Sequence, residues 1–173
     1  PIVKPNFETN VPGIFIAGEL GGMGLIRNAI EQGRQALESV LKLKGIGSGD
    51  RYDVVIVGSG PAGFAASLAA MDAGLRFVTV EQDSLGGTVA HFPRGKLVMT
   101  QPAMLPIVGK MKFTETTKEE LLEFWQGVEQ QTQLKVNYNE RVTSVVPASS
   151  GNGFEVTTTK ANYPCRAVLL TIG

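Results

Sequence analysis

DVVIVGSGPAGFAASLAAMDAGLRFVTVEQ, residues 53–82, decides the fold. Val54, Val55, Ile56 and Val57 make an unbroken β-branched run, the pattern of a strand buried on both faces. Gly58-Ser59-Gly60-Pro61-Ala62-Gly63 follows and fits G-x-G-x-x-G. PAGFAASLAAMDAG, 61–74, is an Ala-rich helix closed by Gly74. RFVTVEQ, 76–82, is a second buried strand. Strand, glycine turn, helix and strand thus fit one βαβ unit of about 30 residues.

Each glycine of the turn has a physical task. Gly58 permits the tight turn, Gly60 lets the backbone approach a pyrophosphate, and Gly63 lets the helix pack close on the strand. The helix start, with Pro61 and Ala62, offers N–H groups and a partial positive charge to phosphates. Glu81, with Gln82 beside it, ends the second strand, where a carboxylate can accept hydrogen bonds from a ribose diol. A lone glycine motif also occurs as an ordinary turn of an α/β domain. The agreement of strand, turn, helix, strand and acid points instead to a bound dinucleotide. The fingerprint alone does not separate FAD from NAD(P).

The flanks extend the pattern. GIFIAG, 13–18, reads as a short buried strand, and 25–44 as a helix with Leu25, Ile26, Ala29, Ile30, Ala36, Val40 and Leu41 near helical spacing. GIGSGD, 45–50, reads as a flexible linker and the strongest boundary between a segment 1–44 and a segment 51–173. Residues 84–115 show little periodicity and read as a long functional loop or one hiding a short helix. TKEELLEFWQGVEQQTQ, 117–133, reads as an amphipathic helix, with Thr117 and Glu120 at capping-box spacing. LKVNYN, 134–139, reads as a third strand, and RVTSVVPA, GFEVTTTK and YPCRAVLLTIG as antiparallel strands turning at SSGNG, 149–153.

Residues 53–82 resemble the FAD-binding start of the thioredoxin reductase-like branch of the pyridine nucleotide oxidoreductases. LGGTV, 85–89, resembles the Gly-Gly segment that runs along the cofactor toward the flavin in that family, and AVLLTIG, 167–173, resembles its strand-plus-ATG motif. TNVPGIFIAGELGGMGLIRNAIEQGRQA, 9–36, resembles the family's last motif, T-x-x-P-G, an apolar run, A-x-G-D and a helix with R-Q-A. Here Glu19 stands for the usual Asp, and Arg27-Asn28-Ala29 for R-Q-A.

The resemblance implies FAD as cofactor. Gly58, Gly60, Pro61, Ala62, Gly63, Glu81 and Gln82 then hold its ADP part. Gly87 and Thr88 lie near its middle, and Gly173 lies at the end of the matching strand motif. Gly18, Glu19, Arg27, Asn28 and Ala29 approach the ribityl chain and ring. Val142 offers backbone to adenine. NAD(P)H is expected on a domain absent from this chain, with electrons passing through the flavin to an unnamed acceptor. A non-catalytic dinucleotide-binding or assembly fragment, taking NAD(P) instead, is the alternative.

The order of motifs is reversed, because the family's last motif precedes its first. Two explanations remain open. The chain is a piece of two reductase-like modules in tandem, or both segments assemble into one domain in permuted order.

The rest of the sequence excludes more than it assigns. Sixteen basic residues balance sixteen acidic ones, so no general charge favours nucleic acid or an anionic membrane. One cysteine, Cys165, forms no internal disulfide or CxxC pair, which leaves no dithiol chemistry and suggests a cytoplasmic setting. It reads as a packing residue. His91 reads as a loop histidine with a structural hydrogen bond. A homodimer is a further expectation. The fold expected is an α/β three-layer Rossmann-like domain with a central parallel sheet and a small antiparallel β-meander.

Overall fold

The computed structural model describes residues 3–18, 26–84, 96–98, 103–111 and 115–171. In chain order the elements are β1 (Ile14–Ile16), α1 (Ile26–Leu41), β2 (Tyr52–Val57), α2 (Pro61–Asp72), β3 (Phe77–Val80), β4 (Lys96–Val98) and β5 (Met104–Leu105). They continue as β6 (Gly109–Lys110), β7 (Glu115–Thr117), α3 (Lys118–Thr132), β8 (Val142–Pro147), β9 (Phe154–Thr158) and β10 (Asn162–Leu170).

Four strands run parallel in the order β1-β10-β2-β3. The register sets Ile14 beside Val168, Val168 beside Val55, and Val57 beside Val80. Strand β10 has two roles. Its first half pairs antiparallel with β9, up to Cys165 beside Phe154; from Val168 onward the same edge is taken by β1. Strand β8 pairs antiparallel with β9 and completes the meander.

Side-chain alternation along β2 explains the layers. Val54 and Ile56 face one way, where Phe15, Ala167 and Leu169 join them under Ala36, Leu37 and Val40 of α1 and Ala66 and Ala70 of α2. Val55 faces the other way, with Val80 and Val168, against Phe154, Val156, Tyr163 and Cys165 of the meander. The parallel strands and the meander form one six-stranded mixed sheet, with α1 and α2 over one face and the Val55 cluster on the other, so the α/β Rossmann-like fold with its small antiparallel meander read from the sequence is present.

Helix α2 is apolar all round because it has neighbours all round. Phe64, Ala65 and Leu68 pack on Leu121, Trp125 and Val128 of α3, and the Phe64 and Trp125 rings stand 4.7 Å apart. Burying such side chains stabilises the fold by roughly 1.5–3 kcal/mol each. The helix ends at Gly74, at a φ of +70°. There Leu75 N–H donates to Ala70 O and Gly74 N–H to Met71 O, a Schellman closure that uses two orphan carbonyls. Helix α3 starts where the sequence places it, and Glu120 N–H donates to Thr117 Oγ1 at 3.1 Å.

Three expectations need correction. Residues 134–139 form no strand. Leu134 and Val136 turn into the cluster between α2 and α3, and pairing is confined to one bridge between Val80 and Asn137. Asn139, at a φ of +56°, then bends the chain. The stretch 84–115 shows no helix among its described residues; it contributes short strands, β4 paired with β7 and β5 with β6. The linker 45–50 is pinned rather than free. Gly47 N–H donates to Asp53 Oδ1 at 2.6 Å, Arg76 to Gly49 O at 2.8 Å, and Arg166 to the adjoining Lys44 O at 2.6 Å.

Candidate nucleotide-binding site

The parallel strands end level with one another, and Gly18, Thr171, Gly58 and Glu81 follow at that edge. In open α/β sheets this is where ligands bind. Gly58 takes a φ of +108°, and its N–H donates to Val80 O at 2.8 Å. Thr171 fastens the neighbouring strand, donating from both its N–H and its Oγ1 to Val57 O at 2.8 Å. No side chain fits between them. A Cβ on Gly58 would stand 2.5 Å from Thr171 Oγ1, and one on Gly63 would stand 1.9 Å from Gly58 O. The third glycine therefore seats α2 on the turn, as its spacing implies.

Gly60 caps α2 in an extended conformation with no side-chain hydrogen bond, and Pro61 opens the helix. Phe64 N–H already donates to Gly60 O. The preceding N–H groups, those of Ala62 and Gly63, have no intrahelical acceptor. Backbone donors at a positive helix end, reached over side-chain-free glycines, fit a diphosphate.

Glu81 is 5% exposed, and its carboxylate is held in one orientation. Oε1 accepts from Ser59 N–H at 2.8 Å and from Ser59 Oγ at 3.2 Å, while Oε2 accepts from Asp83 N–H at 2.8 Å. A carboxylate has about four acceptor sites and three are taken, so one remains for a ribose hydroxyl. Gln82 is exposed beside it. Val142 opens β8 half-buried against the cluster of Val55 and Val80, at a register shift between Val142 and Ser144.

The N-terminal segment comes to the same place. Gly18, at a φ of +93°, lies under the start of α2: a Cβ there would be 3.1 Å from the Ala62 Cβ. Its N–H donates to Gln32 Oε1 at 2.9 Å. Gly33 of α1 touches the same residue from the other side, where a Cβ would stand 2.1 Å from Ala62 O. Arg27 and Ala29 are half-buried in the first turn of α1 and Asn28 is exposed. Glu19, Gly87, Thr88, His91 and Gly173 lie outside the described residues.

Sequence reasoning missed four contributors: Ser59, Gln32, Gly33 and Thr171. Only Thr171 carried a signal, as the Thr of TIG. Cys165 is 1% exposed, and burial pushes its thiol up to about 12, which keeps it protonated and unreactive. The packing role read from the sequence fits that position. Burial and the hydrogen bond to Glu140 push the Tyr163 phenol up to about 12, so it stays a donor. No group of three or more His, Cys, Asp or Glu side chains among the described residues is placed to hold a metal ion. No helix among them is long and apolar enough to cross a membrane.

Residues 55–173 match the pyridine nucleotide-disulphide oxidoreductases. The chain belongs to that family. A stretch of 40 residues is 48% identical to dihydrolipoyl dehydrogenase of Bacillus subtilis (strain 168), spanning 23% of this chain and 8% of that enzyme. In fold the chain is similar to bacillithiol disulfide reductase Bdr (YpdA) from Staphylococcus aureus, with a TM-score of 0.60 at 24% identity, over 70% of this chain and 38% of that one. It is likewise similar to the thioredoxin reductase of T. acidophilum, with a TM-score of 0.54 at 24% identity, over 70% of this chain and 35% of that one. The chain thus spans well under half the length of these relatives. Family and fold agree with the resemblance read from residues 53–82.

Proposed function

We propose that this chain is the FAD-binding domain of an NAD(P)H-dependent flavin oxidoreductase, with residues 3–44 closing the site that residues 51–171 open. The observation that carries this reading is the meeting of Gly18 and Gly33 at Ala62. The segment resembling the family's last motif lies against the phosphate turn of its first motif, as one complete site requires.

FAD bound here would supply two-electron redox chemistry between a reduced nicotinamide and an acceptor. The protein's own work is placement. Gly58, Gly60 and Gly63 admit the diphosphate to the N–H groups of Ala62 and Gly63. Glu81, fixed by Ser59 and Asp83, takes the ribose diol, and Gln82 and Val142 border it. Gly18 and Arg27 to Ala29 serve the ribityl and ring end, and Glu19, Gly87, Thr88 and Gly173 are assigned to the same cofactor by the motifs in which they stand. The reduced nicotinamide is held by a part of the protein outside this chain, in keeping with the share of its relatives that the chain spans.

Isothermal titration of the chain with FAD, ADP, FMN and NAD tests the proposal. The expected order is FAD above ADP, with FMN weak for want of the adenosine end. NAD binding more tightly than FAD would overturn the flavin assignment.

A further inference from the structure

Glu140 is 3% exposed, between Thr158 at 7% and Tyr163 at 9%. A carboxylate at that depth is costly unless its oxygens are bonded, and an apolar side chain would fill the space more cheaply. Its Oε2 accepts from Thr158 Oγ1 and from Tyr163 OH, each at 2.6 Å. Those hydroxyls stand on β9 and β10. The Tyr163 oxygen also accepts from Asn137 Nδ2 at 3.3 Å. The acid therefore ties the 137–140 turn to two strands of the meander.

The same turn holds Glu81 along its backbone. Glu140 N–H donates to Glu81 O at 2.9 Å, and Glu81 N–H donates to Asn137 O at 2.9 Å. Asn139 N–H donates to Asp83 O at 3.1 Å, and Asp83 N–H in turn fixes Glu81 Oε2. A chain of hydrogen bonds thus runs from the meander, through the Glu140 carboxylate and the turn, to both sides of the Glu81 peptide and to its carboxylate.

We propose that Glu140 is a positioning residue for the adenosine end of the site, setting the Glu81 carboxylate where a ribose diol meets it. This rests on the nucleotide reading above. Glu140 touches no nucleotide in this role. It acts through the turn, so its removal alters recognition of the diol specifically and leaves the phosphate site of α2 in place.

The test is titration of the whole chain with ADP and with 2′,3′-dideoxy-ADP, which differ only in the diol. The native chain is expected to favour ADP roughly tenfold or more, the worth of one hydrogen bond to a charged group. Glu140→Ala is expected to bring that ratio to about one, with affinity for the dideoxy nucleotide within about twofold of native. Glu140→Gln is expected to restore the preference, because one amide oxygen can accept from both hydroxyls. Tyr163→Phe, which removes one of the two donors and keeps the ring, is expected to lower the ratio partially. It also serves if the alanine variant fails to fold. A native ratio in Glu140→Ala or Tyr163→Phe, or equal weakening of both nucleotides, overturns the proposal while the ribose site stands. A native chain with no preference for ADP removes the ribose site itself, and this inference with it.

Discussion

Gly33→Ala probes the joint between the two segments. On an exposed helix the change is favourable, since Ala exceeds Gly by about 0.8–1.0 kcal/mol in helix propensity. Gly33 faces α2. A Cβ there would stand 2.1 Å from Ala62 O, 2.8 Å from Ala62 C and 2.9 Å from Ala62 Cα, whereas real Cβ atoms essentially never come under 3.0 Å. The obstacle is backbone in the first turn of a helix buried on all sides, which no rotamer change relieves. Helix α1 must move off α2 by about 1 Å, and overpacking on that scale costs roughly 1–3 kcal/mol or more. Net of propensity, the variant is expected to lose up to about 2 kcal/mol. For a chain of this size that upper value is a fall in Tm of roughly 4–8 °C. Gly127→Ala is the matched control, because Gly127 is exposed on α3 and an added methyl would meet nothing within 4 Å. It is expected to gain up to about 1 kcal/mol. Urea unfolding followed by fluorescence of Trp125, which is 1% exposed, measures both. If Gly33→Ala stabilises the chain as Gly127→Ala does, α1 does not lie on α2 and the joint is wrong.

Other outcomes follow from the same contacts. Glu81→Ala is expected to weaken ADP roughly ten- to a hundredfold by titration, the loss of a charge-assisted hydrogen bond to the diol; unchanged affinity would mean the ribose lies elsewhere. Asp53 is 4% exposed and accepts from Gly47 N–H and Arg76 N–H. Asp53→Ala therefore costs roughly 1–3 kcal/mol and is expected to open residues 45–50 to limited proteolysis, read by mass spectrometry of the fragments. Cys165 has a raised pKa, so its protonated thiol contributes stability that is complete below pH 9.0 and is lost as pH rises through about 12. Thiol-reactive reagent at pH 8 is expected to label it only in denaturant, and fast labelling of the native chain would contradict its burial.

How far the sequence carries depends on what each residue's task requires. The βαβ unit is legible because its demands are local. Gly58 needs a left-handed φ, α2 needs a stop at Gly74, and β2 needs apolar side chains on both faces. The cap of α3 at Thr117 is legible for the same reason. The supposed strand at 134–139 misleads because Leu134 and Val136 are apolar for the sake of α2 and α3, which alternation cannot distinguish from a sheet face. Ser59, Gln32, Gly33 and Glu140 are illegible because their partners lie far along the chain. Gly33 looks like a weak point in α1 until Ala62 is set against it. Glu140 looks like a surface acid until Tyr163 and Thr158 close over it. Thr171 lies between these cases, since TIG marks the strand end while the bond to Val57 O depends on the parallel register.

The central claim is that two segments in reversed order close one flavin site. The visible absorption spectrum of the purified chain, followed by heating and identification of the released nucleotide, tests it most directly. The account predicts a flavin spectrum, native or after adding FAD, with FAD released on denaturation. A colourless chain that also refuses added FAD would contradict it, and would assign residues 3–44 and 51–171 to different sites.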